Sequence, residues 1–405
     1  MYYNRILETS LVSLSSQFPA LLVTGPRQVG KTTLLKYLGR DERTYLSLDD
    51  ISTRELAKED PKLFLQQYTP PLIIDEIQYA PELLPYLKIE IDKNKLKGAY
   101  WLTGSQQYQM MKGITESLAG RIAIINLLGL SQKERIQKVQ ESAAFLPVPG
   151  KYNKYTSKSN IQEIYRYIWR GSMPAMIVNE SIDWNVYYNS YLQTYLQRDV
   201  RDITQVGNLR QFTRFLKACA ARTGQLVNYS DLARDTDISV STAIQWLSIL
   251  EASLQITLLQ PYFSNVTKRL IKTPKLYFND TGLCSFLTGW TTPETLMNGA
   301  MAGAIFETYV LAEIIKSWMY QGKYPGLYYY RDKDGNEIDL ILEYDNTLYP
   351  IEIKRSSSVR RDWGRPLHKL QRFSKSIGTG TIICLTDRSI PVSDNVLAIP
   401  VDLIG

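Results

Sequence analysis

The stretch Thr24–Leu35, TGPRQVGKTTLL, decides the fold. Within it Gly25, Pro26, Arg27, Gln28, Val29, Gly30, Lys31 and Thr32 fit the spacing G-x-x-x-x-G-K-[ST], with Thr33 following. The apolar run ALLVTG precedes it as a strand, and the pattern from Lys31 to Leu38 predicts a helix. Strand before and helix after separate this match from a chance glycine turn. The glycines let backbone amides curl around phosphate oxygens, and the helix points its positive end at the same place. Lys31 is expected to neutralise the β- and γ-phosphates, and the Thr32 hydroxyl to ligate magnesium. The implied ligands are ATP and Mg²⁺.

Working outward, PLIIDEIQ ends an apolar run in Asp75 and Glu76. Both carboxylates then leave the carboxyl edge of a buried strand, where ligands bind in such sheets. Asp75 is expected to hold magnesium, directly or through water, and Glu76 to orient and polarise the attacking water. The plainer alternative makes Glu76 a charge favoured at a helix N-terminus. TYLSLDD lies between the two motifs and predicts a strand inserted between the phosphate-loop and magnesium strands, which with Glu76 points to hydrolysis rather than kinase chemistry. AYWLTGSQQ ends a further strand in Thr103, Ser105 and Gln106, placed either to meet the γ-phosphate or, for Ser105, to cap a helix. Arg121 precedes the strand IAIINLL, a position for a charge-stabilising arginine or for a solvated strand-edge one.

At 405 residues the chain is too long for one ordinary core. The net charge of +7 permits a nucleic-acid partner without demanding one. No apolar run reaches membrane-span length, and the first residues lack the layout of a signal peptide. Cys219, Cys284 and Cys384 are odd in number and far apart, which argues against a disulfide framework and for a cytoplasmic setting. His368 is the single histidine, which removes His-rich zinc sites and disfavours a Ser-His-Asp hydrolase.

The fold class expected is a multi-domain α/β chain. Residues 1–130 form a P-loop ATPase core with a parallel, doubly wound sheet. Residues 131–205 form a helical lid or linker, broken at Pro149–Asn160. Residues 206–272 form a winged helix-turn-helix, from short helices followed by a strand–turn–strand pattern. Residues 273–405 form a further α/β unit, in which a helix over Ala304–Tyr320 precedes strands.

TGPRQVGKTTLL, LIIDEIQYAPELLPYLK, WLTGSQQ and LAGRIAIINLLGLSQKE together resemble a family of bacterial and archaeal AAA+-type ATPases. In that family the ATPase is fused to a C-terminal domain of unknown function, whose hallmarks are similar to PKLYFNDTGLCSFL, GAIFETYVLAEI, YYYRDKDGNEIDLIL and IEIKRS here. The resemblance covers nearly the whole chain. It implies an ATPase core, a winged helix and an end like a PD-(D/E)xK nuclease.

The nuclease-like end rests on NEIDLILEYDNTLYPIEIKRS, Asn336–Ser356. A two-residue turn at Asp345 and Asn346, residues that tolerate positive φ, predicts a hairpin. Its register places Ile338 opposite Ile353 and Leu340 opposite Ile351 on an apolar face. On the other face it places Asp339 opposite Glu352 and Glu337 opposite Lys354. Two carboxylates directly opposite repel, and a bridging divalent cation relieves them. With Lys354 two residues beyond Glu352, the pattern is that of a D…E-x-K nuclease site. There two acids fix magnesium and the lysine steadies the hydroxide or the developing charge. The resemblance adds Glu307 as a further metal-side acid. The alternative is a solvent-facing hairpin with ion pairs. The stretch KRSSSVRRDWGRPLHKLQRFSK that follows is rich in Lys and Arg, which suits phosphate contacts and points to DNA.

Between Arg234 and Lys268 there is neither Lys nor Arg. Ser241, Thr242 and Gln245 have the chemistry to read bases, but the anchoring charge lies only in KRLIKTPK. A winged helix that packs between domains is therefore an equal alternative to a DNA reader. Two functions compete for the whole: an Mg-ATPase coupled to a DNA-acting nuclease-like domain, or an ATP-dependent switch whose C-terminal domain binds without cutting. Arg121 acting on a neighbour's nucleotide would require a homo-oligomer.

Overall fold

The structure, a computed structural model, describes residues 2–104, 117–148, 156–157, 159–195, 209–263, 273–332, 335–364, 370 and 375–404. Five strands, β1 (Ala20–Thr24), β2 (Thr44–Ser47), β3 (Leu72–Asp75), β4 (Tyr100–Gly104) and β5 (Ile122–Asn126), form a sheet of order β2-β3-β4-β1-β5. All its pairs are parallel. β1, β3 and β4 are buried throughout, which is why they read as unbroken apolar runs. The strand between the phosphate-loop strand β1 and the magnesium strand β3 is β4, not TYLSLDD. That segment is β2, on the sheet edge beside β3. An inserted strand is present, but chain order misassigned it, because order along the sequence does not set order across a sheet.

The helices Ile161–Arg170, Pro174–Val178 and Trp184–Tyr195 follow. Asn160 and Glu163 close a capping box on the first of them. Next comes a unit of the helices Leu209–Ala220, Tyr229–Thr236 and Val240–Ala252 with strands β6 (Gln225–Leu226), β7 (Ile256–Leu259) and β8 (Lys275–Phe278). Its sheet is antiparallel in the order β6-β8-β7. The central strand of that sheet therefore lies beyond the boundary expected at 272, and a cut there would split it.

The C-terminal unit packs the helix Ala302–Met319 on a mixed sheet. Its strands are β9 (Gly326–Arg331), β10 (Glu337–Tyr344), β11 (Thr347–Lys354), β12 (Ser376–Ile377), β13 (Gly380–Cys384), β14 (Ile390–Ser393) and β15 (Val396–Pro400). The order is β14-β15-β13-β11-β10-β9, with β12 paired to β11. The β10–β11 turn has φ 48° at Asp345 and 56° at Asn346, as a two-residue hairpin turn requires. Leu340 pairs with Ile351 and Tyr344 with Thr347, the expected register. On the β9 side the register shifts between Ile338 and Ile341, a bulge. Its consequence corrects the expected faces. Leu340 and Ile353 join the large core, while Ile338 packs with Tyr330 and Ile382 on the other side of the sheet.

One hydrophobic core runs through all of these units. Beside it lies Arg5, 4% exposed. Its Nε meets Glu134 Oε1 at 3.0 Å, and its Nη1 donates to the Val29 carbonyl at 2.9 Å. Its Nη2 donates to the Leu128 carbonyl at 3.0 Å and to the Tyr320 hydroxyl at 3.3 Å. The residue thus ties the phosphate loop, the exit of β5 and the end of the C-terminal helix together. Removing one partner of such a pair strands the other charge in the core. Arg5→Ala is expected to cost about 3–5 kcal/mol of unfolding free energy, read by urea titration. A change below about 1 kcal/mol would show that the guanidinium carries no such role.

Candidate functional site

A cavity of ≈ 650 Å³ opens at the carboxyl edge of the five-stranded sheet. Arg27, Gln28, Gly30, Lys31, Thr32, Thr33 and Glu76 line it from the ATPase core, Pro174 and Thr194 from the helices that follow. Gly30 has φ 93° and Gln28 φ 61°, so the loop curls through left-handed backbone to start the helix Lys31–Gly39. Gly25 has φ 151°, and a Cβ there would lie 2.0 Å from the Leu127 carbonyl oxygen. Lys31, 6% exposed, donates to the carbonyls of Gly25 at 3.0 Å and Pro26 at 2.9 Å.

Asp75 is buried and accepts from three hydroxyls. Thr32 donates to Oδ1 at 2.8 Å, Thr103 donates to the same oxygen, and Tyr45 donates to Oδ2 at 2.8 Å. Thr32 and Asp75 are therefore side by side, as a shared magnesium would need, so the residues present fit that ion. Glu76 follows in left-handed conformation, φ 59°, and its N–H donates to the Thr103 hydroxyl at 3.1 Å. Such backbone is uncommon for a residue with a side chain, and here it turns the carboxylate into the cavity wall. Thr103 thus holds Asp75 and Glu76 in place. Ser105 and Gln106 lie outside the described residues. Tyr45, from TYLSLDD, and the wall residues Pro174 and Thr194 escape a motif reading, because they reach the site from separate elements.

Arg121 is elsewhere. Its carbonyl accepts from the N–H of Ala20, the first residue of β1, so it sits at the amino edge of the sheet, a strand's length from the phosphate loop. Its guanidinium grips Asp92 at 2.6 and 3.0 Å. Within one chain it does not reach the nucleotide cavity.

The structure does bring Glu307, Asp339, Glu352 and Lys354 together. Lys354 Nζ lies 2.5 Å from Glu352 Oε2 and 3.5 Å from Asp339 Oδ2. Asp339 Oδ2 also accepts the N–H of Ile353 at 2.8 Å, so it closes the ladder beside the bulge. Glu337 departs from expectation. It turns to Arg331 and Lys275 rather than Lys354, because the bulge rotates it toward β9 and β8. Burial, then the Asp339 charge, hold the carboxyls of Glu307 and Glu352 well above the usual carboxylate range, against the pull of Lys275 and Lys354 respectively. Among the described residues no three acid, histidine or cysteine side chains are placed to hold one metal ion. The expected metal site is thus assembled in composition but not in geometry.

On the helix Val240–Ala252, Ser241 and Gln245 are exposed, whereas Thr242 is half-buried and bonded to the capping Ser239 hydroxyl at 2.7 Å. Residues 264–272, which hold most of the basic KRLIKTPK, and His368 lie outside the described residues, as does part of the basic stretch after Lys354. No helix among the described residues is long and apolar enough to cross a membrane.

A family model described as "AAA domain" matches residues 17–136. Two domains of unknown function, DUF8612 and DUF4143, match residues 161–294 and 302–404. The uncharacterized protein Rv2008c of Mycobacterium tuberculosis (strain ATCC 25618 / H37Rv) is 30% identical over 393 residues, covering 95% of this chain and 81% of that protein. The chain belongs to the same family. An uncharacterized protein of Mycobacterium bovis, Mb2031c, matches equally well. Among solved structures, a Walker-type ATPase of Pyrococcus abyssi, PabY2304, is 16% identical, with a TM-score of 0.43 over 71% of this chain and 96% of that one. The AAA domain makes this family one of P-loop ATPases and implies nucleotide binding.

Gly25 gives a direct check on the nucleotide site. Gly25→Ala drives a Cβ into the Leu127 carbonyl and should reshape the loop. Titration with a fluorescent ATP analogue is expected to show affinity lowered by about tenfold or more, roughly 1.4 kcal/mol. Unchanged affinity would mean that the loop does not cradle phosphates.

Proposed function

We propose that the chain hydrolyses Mg-ATP and that its nucleotide state sets the arrangement of a nuclease-like, DNA-binding C-terminal unit. The observation that carries the first half is the meeting of Lys31, Thr32, Asp75 and Glu76 at one cavity edge. Lys31 would leave the loop carbonyls for β- and γ-phosphate oxygens. Thr32 and Asp75 would hold Mg²⁺, which neutralises charge developing on the phosphates. Glu76, held through its N–H by Thr103, would orient the attacking water.

The second half rests on how the cavity's far wall is built. Ser172, two residues before Pro174, donates its N–H and hydroxyl to Asp280 at 2.7 and 2.8 Å. Asp280 follows β8 and caps the helix Thr281–Leu287, so displacement of the wall reaches the C-terminal half through one carboxylate. The order of helices and strands from Leu209 to Phe278 supports the winged-helix reading. The exposed face of Val240–Ala252 carries one acid, Glu251, and no Lys or Arg, which favours packing over base reading for that helix. Lys354 beside Asp339 and Glu352 supports the nuclease-like reading. The burial of Glu352, at 3% exposure, favours the second reading, a switch that binds without cutting.

Lys31→Ala is expected to lose nucleotide binding, while Glu76→Gln keeps binding and loses turnover by on the order of 10²-fold, as measured by phosphate release. Wild-type turnover in Glu76→Gln would remove Glu76 as the water-orienting residue.

If Arg121 acts on nucleotide, it must do so across a subunit interface after releasing Asp92. Mixing Arg121→Ala with Lys31→Ala protein is then expected to recover part of the ATPase activity that neither has alone. No recovery, or an ATPase that remains monomeric, would count against that role.

A further inference from the structure

Strand β8 carries two side chains that the C-terminal motifs do not single out as site residues, Lys275 and Tyr277, two residues apart and so on one face. Lys275 is 5% exposed. Its ammonium pairs with Glu337 Oε1 and lies 3.5 Å from Glu307 Oε1. The Tyr277 hydroxyl donates to the same Glu307 oxygen. Glu307 comes from the helix Ala302–Met319 and Glu337 from the start of β10, so one lysine joins three elements across the unit boundary.

On the other side of the cluster Asp339 and Glu352 stand close together with Lys354 between them. Glu352 Oε1 is buried and has no hydrogen-bond partner among the described residues. A buried carboxyl oxygen without a partner, beside a second acid, is satisfied by a proton or by a cation. Oxygen donors of this kind suit a hard divalent ion such as Mg²⁺ or Mn²⁺. Yet Glu307, the acid that would complete such a site, is turned to Lys275 and Tyr277.

We infer that this cluster is a divalent-cation site held shut by Lys275, whose ammonium fills the place beside Glu307 and Glu337 that the ion would need. The inference rests on the metal-site reading of the cluster. A bound ion and this ammonium repel at such range, so the ion enters when Lys275 leaves. β8 is the central strand of its sheet, with Lys275 in register with both Leu226 and Leu259. The lysine therefore moves with the whole unit of β6, β7 and β8, away from the helix Ala302–Met319. The same strand leads into Asp280 and so to Ser172 at the nucleotide wall, which makes nucleotide the expected trigger.

The test counts Mn²⁺ bound by nucleotide-free full-length protein, read as loss of the free-ion signal in electron paramagnetic resonance. Every arm carries Asp75→Asn, which silences the nucleotide-site metal. The parent protein is expected to bind no ion at the cluster. Lys275→Met and Lys275→Gln should each gain one ion, about tenfold tighter or better than any parent binding, and adding Asp339→Asn should abolish it. Glutamine keeps a donor for Glu337 without the charge, so it serves if the methionine variant fails to fold. A parent that already binds one ion, lost with Asp339→Asn, overturns the shut state while leaving the metal site standing. Folded Lys275 variants that bind nothing, with Asp339→Asn raising thermal stability in every background, overturn both.

Discussion

The fold hangs on one buried guanidinium. Arg5 is stripped of water, and a charge in that position persists only where oxygens replace the lost hydration. Those oxygens come from Val29 in the phosphate loop, Leu128 after β5, Tyr320 at the end of the C-terminal helix, and Glu134. Glu134 is itself fixed by accepting from Ile6 and Ser131 backbone amides, both at 2.8 Å. Its neighbour Gln132 donates its N–H to Glu313 at 2.8 Å, and Glu313 pairs with Lys316. The phosphate loop is thus a seam between modules, and its backbone cannot shift without disturbing contacts to the C-terminal helix.

Asp280 does the same on the far wall of the cavity. Its carboxylate accepts from Ser172, from the Tyr188 hydroxyl at 3.0 Å and from the Leu283 N–H at 2.7 Å. Space around it is so tight that a Cβ at Gly171 or Gly282 would lie 2.2 or 2.1 Å from the Tyr188 oxygen. The run NDTGL therefore reads as a junction: an acid that caps a helix, and a glycine that lets Tyr188 reach it. The wall of the phosphate-loop cavity on one side and β8 on the other meet at these few atoms.

What the sequence disclosed follows from distance along the chain. The phosphate loop was legible because its chemistry lies in consecutive residues, and strand, loop and helix each follow from the same local pattern. The hairpin turn was legible because Asp345 and Asn346 suit positive φ. The bulge was not, since it depends on the side of β10 that faces β9, and it alone moves Glu337 away from Lys354. The sheet order was hidden for a similar reason, as nothing local places β4 rather than β2 beside β1. Arg5 and Lys275 left no signal at all, because single cations acquire meaning only from acids and carbonyls distant along the chain.

Two lysines show why the two sites should open differently. Lys31 and Lys275 are both buried ammoniums satisfied by oxygens of their own chain. Among the described residues, Lys31 donates to two neutral carbonyls, whose dipoles a phosphate outcompetes with full negative charge. Its ligand can therefore displace it directly, and the loop carbonyls turn back to neighbouring donors. Lys275 rests on carboxylates, so an arriving cation must displace a charge of its own sign from partners that already neutralise it. Binding alone gains little until the ammonium is carried off by its strand. On the proposed reading the nucleotide site is opened by its ligand, and the carboxylate cluster from elsewhere in the molecule.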